Sequence, residues 1–268
     1  SDTADYFDGH FGLRQELITA NAAADAAIFH ESATPEVLLG TDGWLYYADT
    51  LADYTGADPM TARQLWCAAQ NLALIQEYAQ SQGADFLFVC APNKNTIYPA
   101  HMPARETRAE GPSDLDRLEA LLDAQGVAFC DVRRTLLDAQ ELTYYRTDSH
   151  WNGYGSALAC DAILSVLGRE SSLADEDFSL RPHAGDLYQM LYPASRQQEQ
   201  GLALARQREF QYVDAVRGAD DQLIRTESGG SGVLLAFRDS FGNALHEDLA
   251  EAFASATFSR SMPYDLSL

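Results

Sequence analysis

The sequence predicts an α/β domain, a parallel sheet with helices on both faces. Three observations predict it. Short apolar runs alternate with helical patterns in the order strand, helix, strand, helix. Runs such as Phe86-Leu87-Phe88-Val89 and Val233-Leu234-Leu235-Ala236-Phe237 are continuously apolar, as strands buried on both faces are. The 268 residues suffice for a substantial core, and no internal repeat divides them.

In chain order, residues 5–30 read as a helix. Tyr6, Phe7, Phe11, Leu13, Leu17 and Ile18 carry its partly helical apolar spacing, followed by an alanine-rich tail. Asp42-Gly43, set between apolar pairs in Leu38 to Tyr47, signals a hairpin. Residues 61–82 form a strong helix, capped by Thr61, striped by Leu65, Leu72, Ile75 and Tyr78, and ended by Gly83. Ala84 to Cys90 is a buried-type strand running into the loop Asn93-Lys94-Asn95.

A helix over 113–125 closes at Gly126, Val127 to Cys130 is a second short strand, and 131–139 is a short helix. Asn152 to Leu167 is helical and ends at Gly168. Residues 169–230 are polar, with a strand over Glu209 to Val216, and read as an insertion or lid within a single domain spanning 1–268. The core resumes with the buried strand Val233 to Phe237, a helix over 241–253 and a last strand, Ala256 to Ser259.

Composition narrows the function. Net charge is −22, from 40 acidic and 18 basic residues. That argues against nucleic acid or an anionic membrane surface as partner, and against a strongly anionic polymer unless the site is locally basic. No apolar run of about 18 residues is present to span a membrane. No signal peptide is visible, and the abrupt start at Ser1-Asp2-Thr3 fits a targeting segment already removed. Cys67, Cys90, Cys130 and Cys160 fit no zinc spacing and read as buried free thiols, with a Cys90–Cys130 disulfide open if their strands are neighbours.

The chemistry concentrates in Thr147-Asp148-Ser149-His150-Trp151-Asn152. A histidine supplies a base near neutral pH, and a carboxylate can orient it. In an extended segment, residues two apart point the same way. Asp148 and His150 then face one pocket, and Ser149 faces away. A loop histidine held by its neighbouring carboxylate, or a metal site, are the competing readings; the other histidines show no ligand spacing to it. Trp151 and Asn152 either line a sugar site or, for Trp151, cover the core. Ser240 sits where a strand turns into a helix, whose N-terminal N–H groups suit an oxyanion. The competing reading is that Asp239 or Ser240 is a helix cap.

Four motifs occur in order: Gly40-x-Asp42-Gly43-Trp44-Leu45-Tyr46, Pro92-x-Lys94-x-x-x-Tyr98-Pro99, Thr147-Asp148-Ser149-His150-Trp151 and Asp239-Ser240-Phe241. With the opening Tyr6-Phe7-x-x-His10-Phe11-x-x-Arg14, the chain resembles the DHHW family. That family is related to the SGNH-hydrolase-like domains of the alginate O-acetylation proteins AlgJ and AlgX. The resemblance runs from about residue 5 to the C-terminus and is weakest over 169–230.

It implies a three-layer α/β/α sandwich with a mostly parallel central sheet, an extracytoplasmic location and a Ser-His-Asp triad. Ser240 would be the nucleophile, His150 the base and Asp148 the orienting acid. No cofactor or metal is implied. The expected substrate is an extracellular or cell-wall polysaccharide, acetylated or deacetylated through an acyl-enzyme. Transfer to sugar would bring in a membrane-bound O-acyltransferase as acetyl donor. Asn93 or Asn95 would donate to the oxyanion. Lys94 would add positive charge to the pocket or pair with a surface acid.

Two residues depart from the family pattern. Ser149 stands where the family has its first histidine. Arg238 replaces the usual glycine before Asp-Ser, and either contacts substrate or crowds the nucleophile. The crowded alternative leaves a non-catalytic glycan-binding or scaffold protein. Such domains also often continue with another helix and strand, whereas this chain stops at Leu268.

Overall fold

The computed structural model describes residues 13–265 and 268. The Tyr6-to-Phe11 part of the first helix and its motif lie outside the described residues. Helix α1 (Arg14–Phe29) follows. Its predicted apolar positions Leu13, Leu17 and Ile18 are exposed, and the helix docks through Ala22, which packs with Val37, Leu45, Leu187 and Leu191.

Strands β1 (Val37–Leu39) and β2 (Leu45–Tyr47) form the expected hairpin. Asp42 and Gly43 both take positive φ, and Trp44 N–H closes the turn onto Thr41 O at 3.0 Å. That is the turn whose twist matches paired strands. A 3₁₀ turn, Ala48–Thr50, leads into α2 (Leu51–Thr55). Helix α3 (Ala62–Ser81) starts in a Thr61/Gln64 capping box, as its sequence signals.

Strand β3 (Phe88–Val89), helix α4 (Lys94–Ile97), helix α5 (Asp114–Gln125), strand β4 (Phe129–Cys130) and helix α6 (Arg133–Leu137) complete the first half. β3 and β4 pair in parallel, and Ala69 of α3 packs with Leu122 of α5 and Val127 beside them. Cys90 lies one residue past the Val89–Cys130 pair, and successive residues face opposite sides of a sheet. Neighbouring strands therefore leave both thiols free, like Cys67 and Cys160. Cys130 and Cys160 are buried, Cys67 and Cys90 partly so.

Helix α7 (Gly153–Val166) is the centre of the main core. Then come β5 (Phe178–His183), α8 (Asp186–Leu191), β6 (Glu199–Leu204), β7 (Phe210–Tyr212) and β8 (Leu223–Ser228). The polar composition of 169–230 conceals this order. β5 and β6 form an antiparallel ribbon, and β8 enters the main sheet. The expected strand over Glu209 to Val216 shortens to β7.

The chain ends through β9 (Val233–Phe237), α9 (Gly242–Ala252) and β10 (Ser255–Ser259). Here the sheets differ from the expected single parallel one. The four-stranded sheet runs β7-β8-β10-β9, and only β9 and β10 are parallel in it. The described sheets are small and mixed, because the strands contributed by 169–230 pair antiparallel. β9 lies at an edge rather than in the middle, so Val233 and Leu235 are exposed while Leu234 and Ala236 pack on the core. α7 and α9 pack on each other, and Leu249, Ala250 and Phe253 of the α9 region join Ile163 and Leu164 of α7 in the core. This fixes the turn between β9 and α9 against the loop before α7.

Candidate active site

The loop 145–150 is clamped from several sides. Leu45 N–H of β2 donates to Arg146 O at 2.9 Å, and Tyr188 N–H of α8 donates to Thr147 O at 3.1 Å. Glu199 of β6 accepts from the N–H groups of Arg146 and Thr147, at 2.9 and 2.8 Å, and from the Thr147 hydroxyl. Lys94 Nζ donates to the carbonyls of Tyr145, Arg146 and Asp148, at 3.2, 3.0 and 2.6 Å. Three acceptors for three ammonium protons satisfy a group that burial otherwise penalises. Burial pushes the Lys94 amine down to about 7, against the opposing charges of Asp148, Glu199 and Asp186.

Within this cradle the chain turns back on itself. Asp148 Oδ1 accepts from its neighbour His150 twice: from the backbone N–H at 2.9 Å and from Nδ1–H at 2.7 Å. Asp148 Oδ2 accepts from His183 Nε2 at 2.8 Å and from Asp186 N–H at 3.0 Å. Burial works to raise the Asp148 pKa, but the hydrogen bonds from His150 and His183 outweigh it and hold the carboxyl well below the usual range. Burial works to lower His150, and the hydrogen bond and charge of Asp148, with the charges of Asp186 and Asp239, reverse that and raise it.

The other imidazole nitrogen faces the distant turn. His150 Nε2 lies 2.8 Å from Ser240 Oγ, across 90 positions of sequence. With Nδ1 protonated toward Asp148, Nε2 is free to accept the serine proton. Asp239 Oδ1 accepts from Phe241 N–H at 2.9 Å in a turn ahead of α9, neither Asp239 nor Ser240 caps that helix, and Ser240 is left to His150. Phe241 packs edge-on against His150, at 4.9 Å between ring centroids.

These residues open onto a cleft of about 490 Å³, walled also by Tyr46, Tyr47 and Thr50 of the hairpin side and by Met190 of α8. The sequence-derived site residues divide around it. Asp148, His150 and Ser240 come together. Asn93 and Lys94 line the cleft, but the Asn93 amide donates to Asp53 at 3.1 Å. Asn95 is buried and its amide donates to Thr50 O and Oγ1, at 3.2 and 2.9 Å. Lys94 pairs with carbonyls rather than with a surface acid.

Trp151 is a core residue, 2% exposed, with Nε1–H donating to Phe241 O at 3.2 Å. Asn152 caps α7, accepting from Tyr154 and Gly155 N–H. Arg238 turns away from the cleft to Asn243 Oδ1 and Ala219 O, at 2.5 and 2.7 Å. It therefore neither lines the cleft nor crowds the serine.

Ser149 does not face away. Its hydroxyl donates to Asp186 Oδ2 at 2.5 Å and lies 3.1 Å from His150 Nδ1. The turn made by Asp148 breaks the extended geometry that the alternation argument assumed. Asp186 and His183 are the residues that the sequence reading missed. A Gly-Asp pair at the start of a short helix carries no local chemical signal. Gly185 is needed there because a Cβ on it would meet Thr147 O at 2.2 Å, so only glycine lets α8 approach the loop this closely.

Ligand atoms of Asp148, His150 and Asp186 lie within 4.8 Å of one another and could hold a cation. A cation would have to replace the hydrogen bonds that already join them to Ser149 and His183.

Comparison with known proteins shows the family and the fold. Residues 37–231 match the family described as SGNH hydrolase-like domain, acetyltransferase AlgX. The match includes Asp148 and His150 and stops short of Ser240. A probable alginate O-acetylase AlgJ from Pseudomonas syringae is 24% identical over 194 residues, 68% of this chain and 48% of that protein. The chain thus spans about half the length of that relative. Two solved structures share the fold. The O-acetyltransferase domain of Pseudomonas putida AlgJ aligns at TM-score 0.51 and 22% identity, over 81% of this chain and 77% of that one. A DHHW family protein from Eubacterium siraeum aligns at TM-score 0.52 and 17% identity, over 71% and 75%.

Proposed function

The chain belongs to the family of SGNH hydrolase-like domains of the AlgX acetyltransferase type, and from that premise we propose that it is a serine-dependent O-acetyltransferase or acetylesterase acting on an extracytoplasmic polysaccharide. The observation that carries the reading is the continuous relay from Asp148 through His150 to Ser240, with hydrogen bonds of 2.7 and 2.8 Å. Each group fits one role. Ser240 Oγ attacks the acetyl carbonyl carbon while His150 Nε2 takes the hydroxyl proton. Asp148 stabilises the resulting imidazolium and fixes its ring. The Asn243 N–H at the start of α9 donates to Ser240 O at 3.0 Å, which leaves the Gly242 N–H beside it to serve the oxyanion.

As the tetrahedral intermediate collapses, the carbon–oxygen bond to the leaving group breaks and His150 returns the proton to that group. An acetyl ester remains on Ser240. A sugar hydroxyl or water then repeats the sequence: His150 takes its proton, its oxygen attacks the ester carbonyl, and Ser240 leaves with the proton. Transfer to sugar makes a membrane-bound O-acyltransferase the natural acetyl supplier. The non-catalytic scaffold alternative rested on Arg238 crowding the serine, and the outward course of that side chain gives it no support.

Hydrolysis of p-nitrophenyl acetate tests the reading. Wild type is expected to release nitrophenol well above background and Ser240→Ala to fall to it. Equal rates in both would remove Ser240 from the reaction.

A further inference from the structure

We propose that the glycan acceptor of this site is free of carboxylates, a neutral or amine-bearing sugar polymer rather than a polyuronate. The inference rests on the acyl-transfer reading above and narrows its substrate class. It starts from the charges that wall the cleft. Lys94 is the only lysine of the chain and, His150 being the neutral base, the only resting cation among the described residues lining the cleft. It is 4% exposed, and its three protons are committed to the carbonyls of Tyr145, Arg146 and Asp148. No proton on it remains for a bound carboxylate.

The other nearby cations lie off the cleft. Arg238, one residue from Asp239, donates to Ala219 O and Asn243 Oδ1. Arg146, beside Thr147, lies over the Trp44 ring at 6.0 Å. Neither lines the cleft. Carboxylates do. Asp186, 3.5 Å from His150, and Asp239, next to Ser240 in the chain, both line the cleft. Asp53 lies just behind Asn93.

The Tyr47 hydroxyl, on the hairpin wall, has acidic neighbours as well, chiefly Asp49 outside the cleft lining. Its pKa is raised first by the hydrogen bond and charge of Asp49, then by burial and the charges of Glu36 and Asp186. A uronate bound beside these groups would bring like charge against like charge with no guanidinium or ammonium to answer it. A hydroxyl-bearing or amine-bearing ring meets acceptors instead. Tyr46, Tyr47, Met190 and Phe241 add the apolar surface that sugar ring faces can cover.

Binding and acylation can be measured separately, so failure of this inference is distinct from failure of the serine mechanism. Ser240→Ala protein is titrated calorimetrically with equal-length oligomers of β-glucan, chitosan and alginate. The expected result is affinity for glucan or chitosan oligomers at least about tenfold above alginate oligomers, with the gap narrowing as salt screens the cleft. Equal or tighter binding of alginate oligomers overturns the proposal, and so does binding of none of the three.

A second variant reads the cause. Asp239→Asn keeps an oxygen to accept from Phe241 N–H but removes one charge. It is expected to raise alginate-oligomer affinity relative to glucan several-fold. An unchanged ratio overturns the electrostatic account. Acetyl-ester formation on Ser240 from p-nitrophenyl acetate, measured on wild type, independently reports whether the serine reading stands.

Discussion

His183 Nε2 meets Asp148 Oδ2 at 2.8 Å, so the carboxylate that grips His150 with one oxygen is gripped by a second histidine with the other. Asp186 N–H adds a further bond to that same oxygen. A carboxylate held at both oxygens cannot rotate, and neither can the imidazole that it orients. Asp148→Asn keeps the shape but can present an N–H to Nδ1 and favours the wrong tautomer. Turnover of an acetyl ester is expected to fall by about 10³–10⁴, with the fold intact by circular dichroism.

Asp186 acts on His150 from the other side. Its Oδ2 lies 3.5 Å from His150 Nδ1 and accepts the Ser149 hydroxyl. Its charge helps raise His150 above the ordinary histidine value of 6.5. The base form is the neutral one, so activity is lost as pH falls through this raised pKa. The acid limb of kcat/KM is therefore expected above 6.5, and Asp186→Asn is expected to move it to lower pH. A limb that stays in place in the variant would show that Asp186 does not act on the imidazole.

Lys94 is a structural clamp before it is anything else. Lys94→Met removes the donor to three carbonyls and leaves them facing an apolar chain. Each buried acceptor that loses its partner carries a desolvation cost, and a total loss of about 2–4 kcal/mol in urea unfolding is expected. Because one of those carbonyls is that of Asp148 itself and another that of Arg146, two residues before it, ester turnover should fall as well.

Gly242 opens α9 directly under Arg238. A Cβ on it would lie 2.7 Å from both Cβ and Cδ of Arg238, too near the root of that side chain for an easy escape. Gly242→Ala is expected to cost about 1–3 kcal/mol. Adding Arg238→Gly should return most of it, giving a coupling in a double-mutant cycle that two independent sites would not show.

How much of this was legible follows from where each signal lies. Local signals were readable: the Thr61 capping box, the Asp42-Gly43 turn, the Gly126 helix end and the Asp148-x-His150 spacing all sit within a few residues. So was the strand-to-helix placement of Ser240. Long-range placement was not. His183 and Asp186 reach the site only because the β5–β6 ribbon and α8 fold back over the loop, and their polar surroundings resembled an insertion. Trp151 and Arg238 look equally suited to a pocket or to its surroundings until the packing decides. Ser149 departs from the alternation because the period of two holds for a strand, and Asp148 folds this segment into a turn. The small, mixed sheets are not legible because short apolar runs do not state which neighbour they take, nor in which direction.

The central claim is that Ser240 carries the acyl group. It is tested most directly by quenching the wild-type protein during p-nitrophenyl acetate turnover and mapping the acetylated peptide by mass spectrometry. The account predicts a single acetyl ester on Ser240, absent from Ser240→Ala and diminished in His150→Ala. Turnover that persists in Ser240→Ala, or an acetyl group that resides elsewhere while turnover proceeds, would contradict it.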